Sequence, residues 1–242
     1  MIVLFTDFGL AGPYVGQMKA ALHRGAPQCP VVDLLADAPR FDPKASAYLL
    51  AAYASGFDSG SVFLCVVDPG VGGARAPLAI EADGRWYVGP DNGLMAIVAR
   101  RAATLRAWHV TWRPERLSAS FHGRDLFAPV AARLALGEAP PGNAVEPATL
   151  VGGDWPDDLA EIVYLDSYGN AMTGLRASGL PPQGHLSVGG HRLSAARTFS
   201  DVAPGQAFWY ENANGLAEIA VNQGSAVAAL GLALGQPVAV ET

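Results

Sequence analysis

Three side chains in this sequence could do charge and proton chemistry together. Asp68 and Arg75 lie in "VVDPGVGGAR", and His122 lies in "FHGRDLF". The first stretch has the glycines of a phosphate-cradling loop. Gly70 and Gly72 fit the start of a dinucleotide fingerprint, but Arg75 stands where the third glycine belongs, and no Walker lysine follows. The next segment, "APLAIEA", reads as strand where a phosphate loop would open a helix. A tight turn with Asp68 as its cap and an Asp–Arg salt bridge therefore stands ahead of the phosphate reading. Position adds a third reading. Asp68 follows the apolar run "SVFLCVV", and ligands of open α/β sheets bind outside the carboxyl ends of such strands.

His122 sits at the start of a helical segment. A helix N-terminus disfavours a cation, so the imidazole is expected to be neutral and able to accept a proton. Asp7 ends the first apolar run, in "FTDFG". It either caps a helix or grips vicinal hydroxyls, as acidic residues at strand ends do with ribose. The D-F-G string is no kinase signature, because no H-R-D catalytic loop accompanies it. His109 reads as a strand residue without a role, and His185 and His191 read as surface residues of a hairpin. No His or Cys spacing suits a metal, and Cys29 and Cys65 fit no redox motif. Cys65 reads as a buried core thiol. In the second half, "DSYGN" (Asp166 to Asn170) is a hairpin turn or part of a site. Phe199, Phe208 and Trp209 share their neighbourhood in sequence with Asn212. An aromatic ring beside an asparagine amide suits a purine.

These residues need elements to position them. Ile2–Phe5 and "SVFLCVV" read as buried strands, and Val31–Leu35 reads as a second strand between them. Pro13 to His23, a segment from Lys44, another from Asp91 and a fourth from Gly123 with Gly137 as its C-cap read as helices. "APLAIEA" and "RWYVG" alternate like a hairpin pair. Uninterrupted apolar strands alternating with helices predict an α/β domain with a mostly parallel sheet. Residues 141–158 are dense in Pro, Gly and acids and read as a linker after a domain of residues 1–140. From residue 159 to 242 the segments are short and turn-rich, the pattern of a small all-β domain or barrel.

Composition limits the partners. The chain has 242 residues, half of them hydrophobic and 16% charged, so it can bury a sizeable core. The net charge of -6 and the absence of a Lys/Arg cluster argue against nucleic acid and anionic membrane. No apolar run reaches 18 residues, and the N-terminus lacks a signal peptide's basic region and cleavage site. A cytoplasmic protein is expected.

Taken in order, "FTDFG", "PYVGQMK", "VVDPGVGGAR", "VGPDNGLM", "FHGRDLFAPVAA" and "DSYGNAMT" resemble the SAM hydroxide adenosyltransferases, relatives of the fluorinase and chlorinase enzymes. The resemblance runs through nearly the whole chain. It implies a Rossmann-like N-terminal α/β domain and a small C-terminal β-barrel. It also implies a homotrimer that binds S-adenosylmethionine (SAM) between one subunit's first domain and its neighbour's second. The implied reaction converts SAM and water to adenosine and L-methionine, with SAM as substrate and no cofactor or metal. By the match, Asp68, Arg75 and His122 fall on the water-activating trio. Asp7, with Phe8 beside it, falls on the ribose-binding carboxylate. Asp166 and Asn170 meet the adenosyl group, and Phe199 and Asn212 fall in the adenine pocket. Two departures stand out. Gly12 replaces an aspartate and Ala213 a serine, both of which help hold the methionine end of SAM; a backbone carbonyl or Glu211 is the candidate substitute. A halide-dependent adenosyl transferase and a non-catalytic nucleoside- or SAM-binding module are the alternatives. The halogenating relatives lack the Asp–Arg–His set and carry an inserted loop in the first domain. Neither feature occurs here, so hydrolysis is expected.

Overall fold

The computed structural model describes residues 1–182 and 184–241. The chain divides into two units: residues 1–51 with 56–155, and residues 52–55 with the chain from 156 on.

The first unit is built on one sheet. Its strands are β1 (Ile2–Thr6), β2 (Val31–Leu35), β3 (Val62–Val66), β4 (Pro77–Ala82), β5 (Arg85–Pro90), β6 (Leu105–Val110) and β7 (Gly142–Val145). They lie in the order β2-β1-β3-β5-β4-β6-β7. β1 and β3 are buried at every position, as their apolar runs predict. The sheet, expected to be mostly parallel, is mixed. β2, β1, β3 and β5 run parallel, while β4, β6 and β7 join by antiparallel pairings. The reason is local. Asp83 and Gly84 take φ of 48° and 75°. That two-residue turn matches the twist of a hairpin and forces β4 and β5 to run antiparallel. The glycine loop therefore leaves β3 at its carboxyl end, crosses the end of β5 and enters β4 in the opposite direction.

Four α-helices precede β7: α1 (Tyr14–Gly25), α2 (Pro43–Ala54), α3 (Ala96–Arg101) and α4 (Ala128–Ala135). α1 buries Val15, Met18, Ala21 and Leu22, one stripe at helical spacing, in a core that includes Leu4, Leu64 and Phe127. α3 starts five residues later than the sequence suggests. Asn92 Oδ1 accepts a hydrogen bond from the Leu94 backbone (3.2 Å), a turn that competes with the helix. The segment from Gly123 opens with a π-helical turn over Gly123–Phe127 before α4 begins. Gly137, at φ 81°, follows its end. Of residues 141–158, those up to 155 belong to the first unit and hold β7. The Val151 backbone donates to Asp91 Oδ1 (3.1 Å), and Arg100 Nη2 donates to the Gly153 carbonyl (2.6 Å).

The second unit contains β8 (Leu159–Leu165), β9 (Ala171–Arg176), β10 (His185–Val188), β11 (His191–Ser194), β12 (Ala207–Glu211), β13 (Leu216–Val221) and β14 (Ala239–Glu241), with α5 (Ala226–Leu230). One sheet is ordered β12-β13-β9-β8 and the other β11-β10-β14, and every pairing is antiparallel. Ile162, Leu186, Trp209 and Ile219 are among the residues of its core.

Candidate functional site

The turn after β3 and the turn before α4 bring the three charged or titratable side chains together. Arg75 Nε donates to both oxygens of Asp68 at 3.1 Å, and its Nη2 donates to Asp68 Oδ2 at 2.5 Å. The same Nη2 lies 2.8 Å from His122 Nδ1. Arginine has donors and no acceptor, so His122 Nδ1 must accept. The neutral ring then carries its proton on Nε2 and offers a donor, not a base, on its far side. The His122 pKa lies below the ordinary value, as expected. Burial is the larger cause and the Arg75 charge the second. The pair is well shielded: the side chains of Asp68 and Arg75 are 4% and 10% exposed. The Arg75 guanidinium also sits 5.2 Å from the centre of the Phe127 ring.

Glycine makes this approach feasible. Gly72 has φ 77°, and a Cβ there would come within 2.6 Å of the Ala119 carbonyl oxygen. The loop thus packs backbone to backbone against the segment that delivers His122. Asp68 and His122 line a cavity of about 430 Å³ together with Phe8, Tyr14, Phe121 and Arg124. Phe8, Tyr14 and Phe121 form a cluster with ring centres 5.4–5.9 Å apart, Phe121 meeting the other two edge to face.

Asp7 does not cap α1, whose first turn has no side-chain cap. Its Oδ2 accepts from the Phe41 backbone (3.2 Å), and burial raises its pKa. Phe41 escaped the sequence reading. It is a non-glycine residue at φ 60°, 75% exposed, beside a candidate ribose carboxylate. No sequence rule marks a phenylalanine for that conformation.

The other predicted residues gather in the second unit. Asp166, Asn170, Phe199 and Asn212 line a pocket of about 700 Å³. "DSYGN" is the hairpin turn between β8 and β9, and it also lines this pocket. Asp166 Oδ1 accepts from the Tyr168 and Asn170 backbones (2.9 and 2.8 Å), and its Oδ2 accepts from Asn170 Nδ2 (3.0 Å). Phe199 packs against Phe208 and Tyr210, with centres 5.2 Å away in each case. Trp209 points to the opposite side, into the core. Asn212 is largely committed to its own turn: Oδ1 accepts from the Asn214 and Leu216 backbones (2.9 and 3.1 Å) and Nδ2 donates to Glu218. Ala213 lines the same pocket, whereas Glu211 lines a neighbouring one. Sequence reasoning also missed Tyr210 and Glu218, since a single acid inside an apolar strand carries no motif.

His109 lies on β6, and Cys65 is fully buried. His191 is exposed on β11, but His185 on β10 is half-buried rather than on the surface. Among the described residues no group of three or more His, Cys, Asp or Glu is placed to hold a metal ion. No helix among them is long and apolar enough to cross a membrane.

Comparison with known proteins adds independent findings. Residues 2–143 match the SAM hydroxide adenosyltransferase N-terminal domain, and residues 160–239 match the C-terminal domain. A Thermus thermophilus protein named (R)-S-adenosyl-L-methionine hydrolase is 42% identical over 98% of each chain. A fluorinase from Nocardia brasiliensis is 26% identical over 57% of this chain and 54% of its own. The crystal structure of an uncharacterized conserved protein from Thermotoga maritima superimposes with a TM-score of 0.89 at 28% identity, covering all of both chains.

Proposed function

Because the chain belongs to the SAM hydroxide adenosyltransferase family, we propose that it is an (R)-S-adenosyl-L-methionine hydrolase, converting SAM and water to adenosine and L-methionine. The hydrolase relative matches nearly end to end, the fluorinase over little more than half the chain, so water is favoured over halide as nucleophile.

The observation that carries the mechanism is the contact of one guanidinium, Arg75, with both Asp68 and His122, which line one cavity. Water attacks poorly as a neutral molecule, so its oxygen must gain hydroxide character. Asp68 is the acceptor of the trio, because Nδ1 of His122 is taken by Arg75. In this reading Asp68 takes the water's proton, His122 Nε2–H orients the oxygen, and the Arg75 cation stabilises the charge that develops on it. The oxygen bonds to C5′ as the C5′–sulfur bond breaks. The bond pair returns to sulfur, the sulfonium becomes the thioether of methionine, and one proton leaves for solvent. Aligning oxygen, carbon and sulfur can contribute on the order of 7–11 kcal/mol. Asp7 on the ribose hydroxyls, with Phe8 beside it, and Asp166, Asn170, Phe199 and Asn212 around the adenosyl group would supply that alignment.

The proposal extends to the assembly. The first unit holds the water-handling trio and the second an aromatic–amide pocket suited to a purine. A homotrimer with SAM between one subunit's first domain and its neighbour's second would complete the site. We read the second unit as a small barrel. Single bridges, Ala195 to Trp209 and Glu161 to Pro237, connect its two sheets at both edges.

Incubation with SAM in oxygen-18 water tests the reaction. Label is expected in the 5′-hydroxyl of adenosine; label elsewhere, or 5′-chloro-5′-deoxyadenosine as the product in chloride, would refute hydrolysis. Asp68→Ala is expected to abolish turnover while SAM still binds in calorimetry.

A further inference from the structure

β13 is buried along its whole length, yet a carboxylic acid sits in its middle. Ala217, Ile219 and Val221 enter the core of the second unit, so Leu216, Glu218 and Ala220 face the other side of the sheet. Glu218 is 2% exposed and lines the 700 Å³ pocket. Its partners across the strands are Tyr210 on β12 and Met172 on β9, which line the same pocket. A buried carboxyl is costly unless hydrogen bonds satisfy it. Tyr210 Oη donates to its Oε1 at 2.6 Å, and Asn212 Nδ2 donates to its Oε2 at 2.8 Å.

Both donors shape the pocket. The Tyr210 ring leans against Phe199, so anchoring its hydroxyl anchors one aromatic wall. The Asn212 amide holds the turn that ends in Leu216. Turned over, that amide would aim its NH2 at two backbone N–H groups and its oxygen at a carboxyl. Glu218 makes the observed orientation the favourable one.

We infer that Glu218 is a positioning residue for the adenosyl group. It acts through Tyr210 and Asn212, holding the aromatic wall and the 212–216 turn where together they grip a flat nucleobase. The inference rests on the SAM-hydrolase reading above.

Adenosine binding by calorimetry, read beside SAM kinetics, tests it. Glu218→Ala strands both donors and is expected to weaken adenosine binding and raise KM for SAM by about 10-fold or more. Its kcat at saturation should stay within about 3-fold of wild type, since lost binding shared by ground and transition states moves KM. Glu218→Gln can accept from Asn212 and donate to the Tyr210 oxygen, so it should restore both constants to within about 3-fold. A merely structural acid would lower the melting temperature without this split. If Glu218→Ala does not fold, Tyr210→Phe decides, because it removes one oxygen and should weaken adenosine about 3-fold. Unchanged adenosine affinity in whichever variant folds overturns the inference, as does a fall in kcat with KM and Kd intact. Wild-type protein that neither binds adenosine nor hydrolyses SAM removes the underlying reading instead.

Discussion

Arg75 joins two partners with one guanidinium. It forks onto Asp68 and uses the Nη2 that Asp68 shares to reach His122. A lysine ammonium is a point charge without that planar fork. Arg75→Lys is therefore expected to lower kcat by ~10²-fold, the usual scale for losing one aligned donor at a developing anion; near-normal kcat would contradict the assignment. His122 makes a second prediction. A proton on Nδ1 would set a donor and a charge against Arg75 at 2.8 Å. Its folded pKa lies below the ordinary 6.5, through burial first and Arg75 second. The kcat/KM profile should thus hold through neutral pH and fall with an acid limb below 6.5, a limb that His122→Gln should lack. Stability follows the same sign. The unfolded chain binds this proton more tightly, so His122's contribution is present above pH 6.5 and disappears as pH falls through the folded value. At this scale the sequence was informative about Asp68, Arg75 and His122, because strand ends and helix starts are where such groups can converge. It did not show which nitrogen of His122 carries the proton, since a tautomer is set by the partner across space. Nor did it point to Phe41 or Glu218.

The glycine loop is the element on which the proposed site depends. It must pass close to residues 118–121 to bring Asp68 and His122 to one guanidinium. Gly72→Ala would place a Cβ at positive φ, about 1–2 kcal/mol by conformation alone, and 2.6 Å from the Ala119 oxygen. The expected result is a lower melting temperature with kcat reduced about 10-fold or more, measured by calorimetry and product formation. A variant with normal turnover would mean that the loop can relax without moving the trio. Hairpins were the most legible elements. Asp83-Gly84, "DSYGN" and Gly189-Gly190 carry local chemistry that dictates a reversal, and the Gly residues all have positive φ. The start of α3 was not legible, because Asn92 diverts the backbone by a hydrogen bond that periodicity does not reveal.

For the whole molecule, the proposed homotrimer predicts a solution mass three times that of the chain by light scattering, and a loss of turnover on dilution into monomers. A monomer with full activity would remove the shared-site proposal and leave the chemistry of Asp68, Arg75 and His122 standing. The two units differ in texture, strands alternating with helices before residue 140 and strands joined largely by turns after 159, and that contrast is written in the sequence. Strand order is not. The hairpin nature of β4–β5 was visible, but its consequence for the parallel count was not, because a sheet's direction is decided by which neighbour each strand meets.

By itself the sequence determined what depends on near neighbours. The apolar runs of β1 and β3 became buried strands, whereas β2 is a strand buried at no position; turn residues became reversals, and ordered motifs identified the family. Tertiary structure alone decided what depends on distance through space: a mixed sheet, one guanidinium that joins an aspartate to a histidine 47 positions after the arginine, and an acid buried under Tyr210 and Asn212. The physical reason is range. Dihedral preference and periodicity act over a few residues, whereas hydrogen bonds, burial and charge act between whatever the completed fold brings into contact.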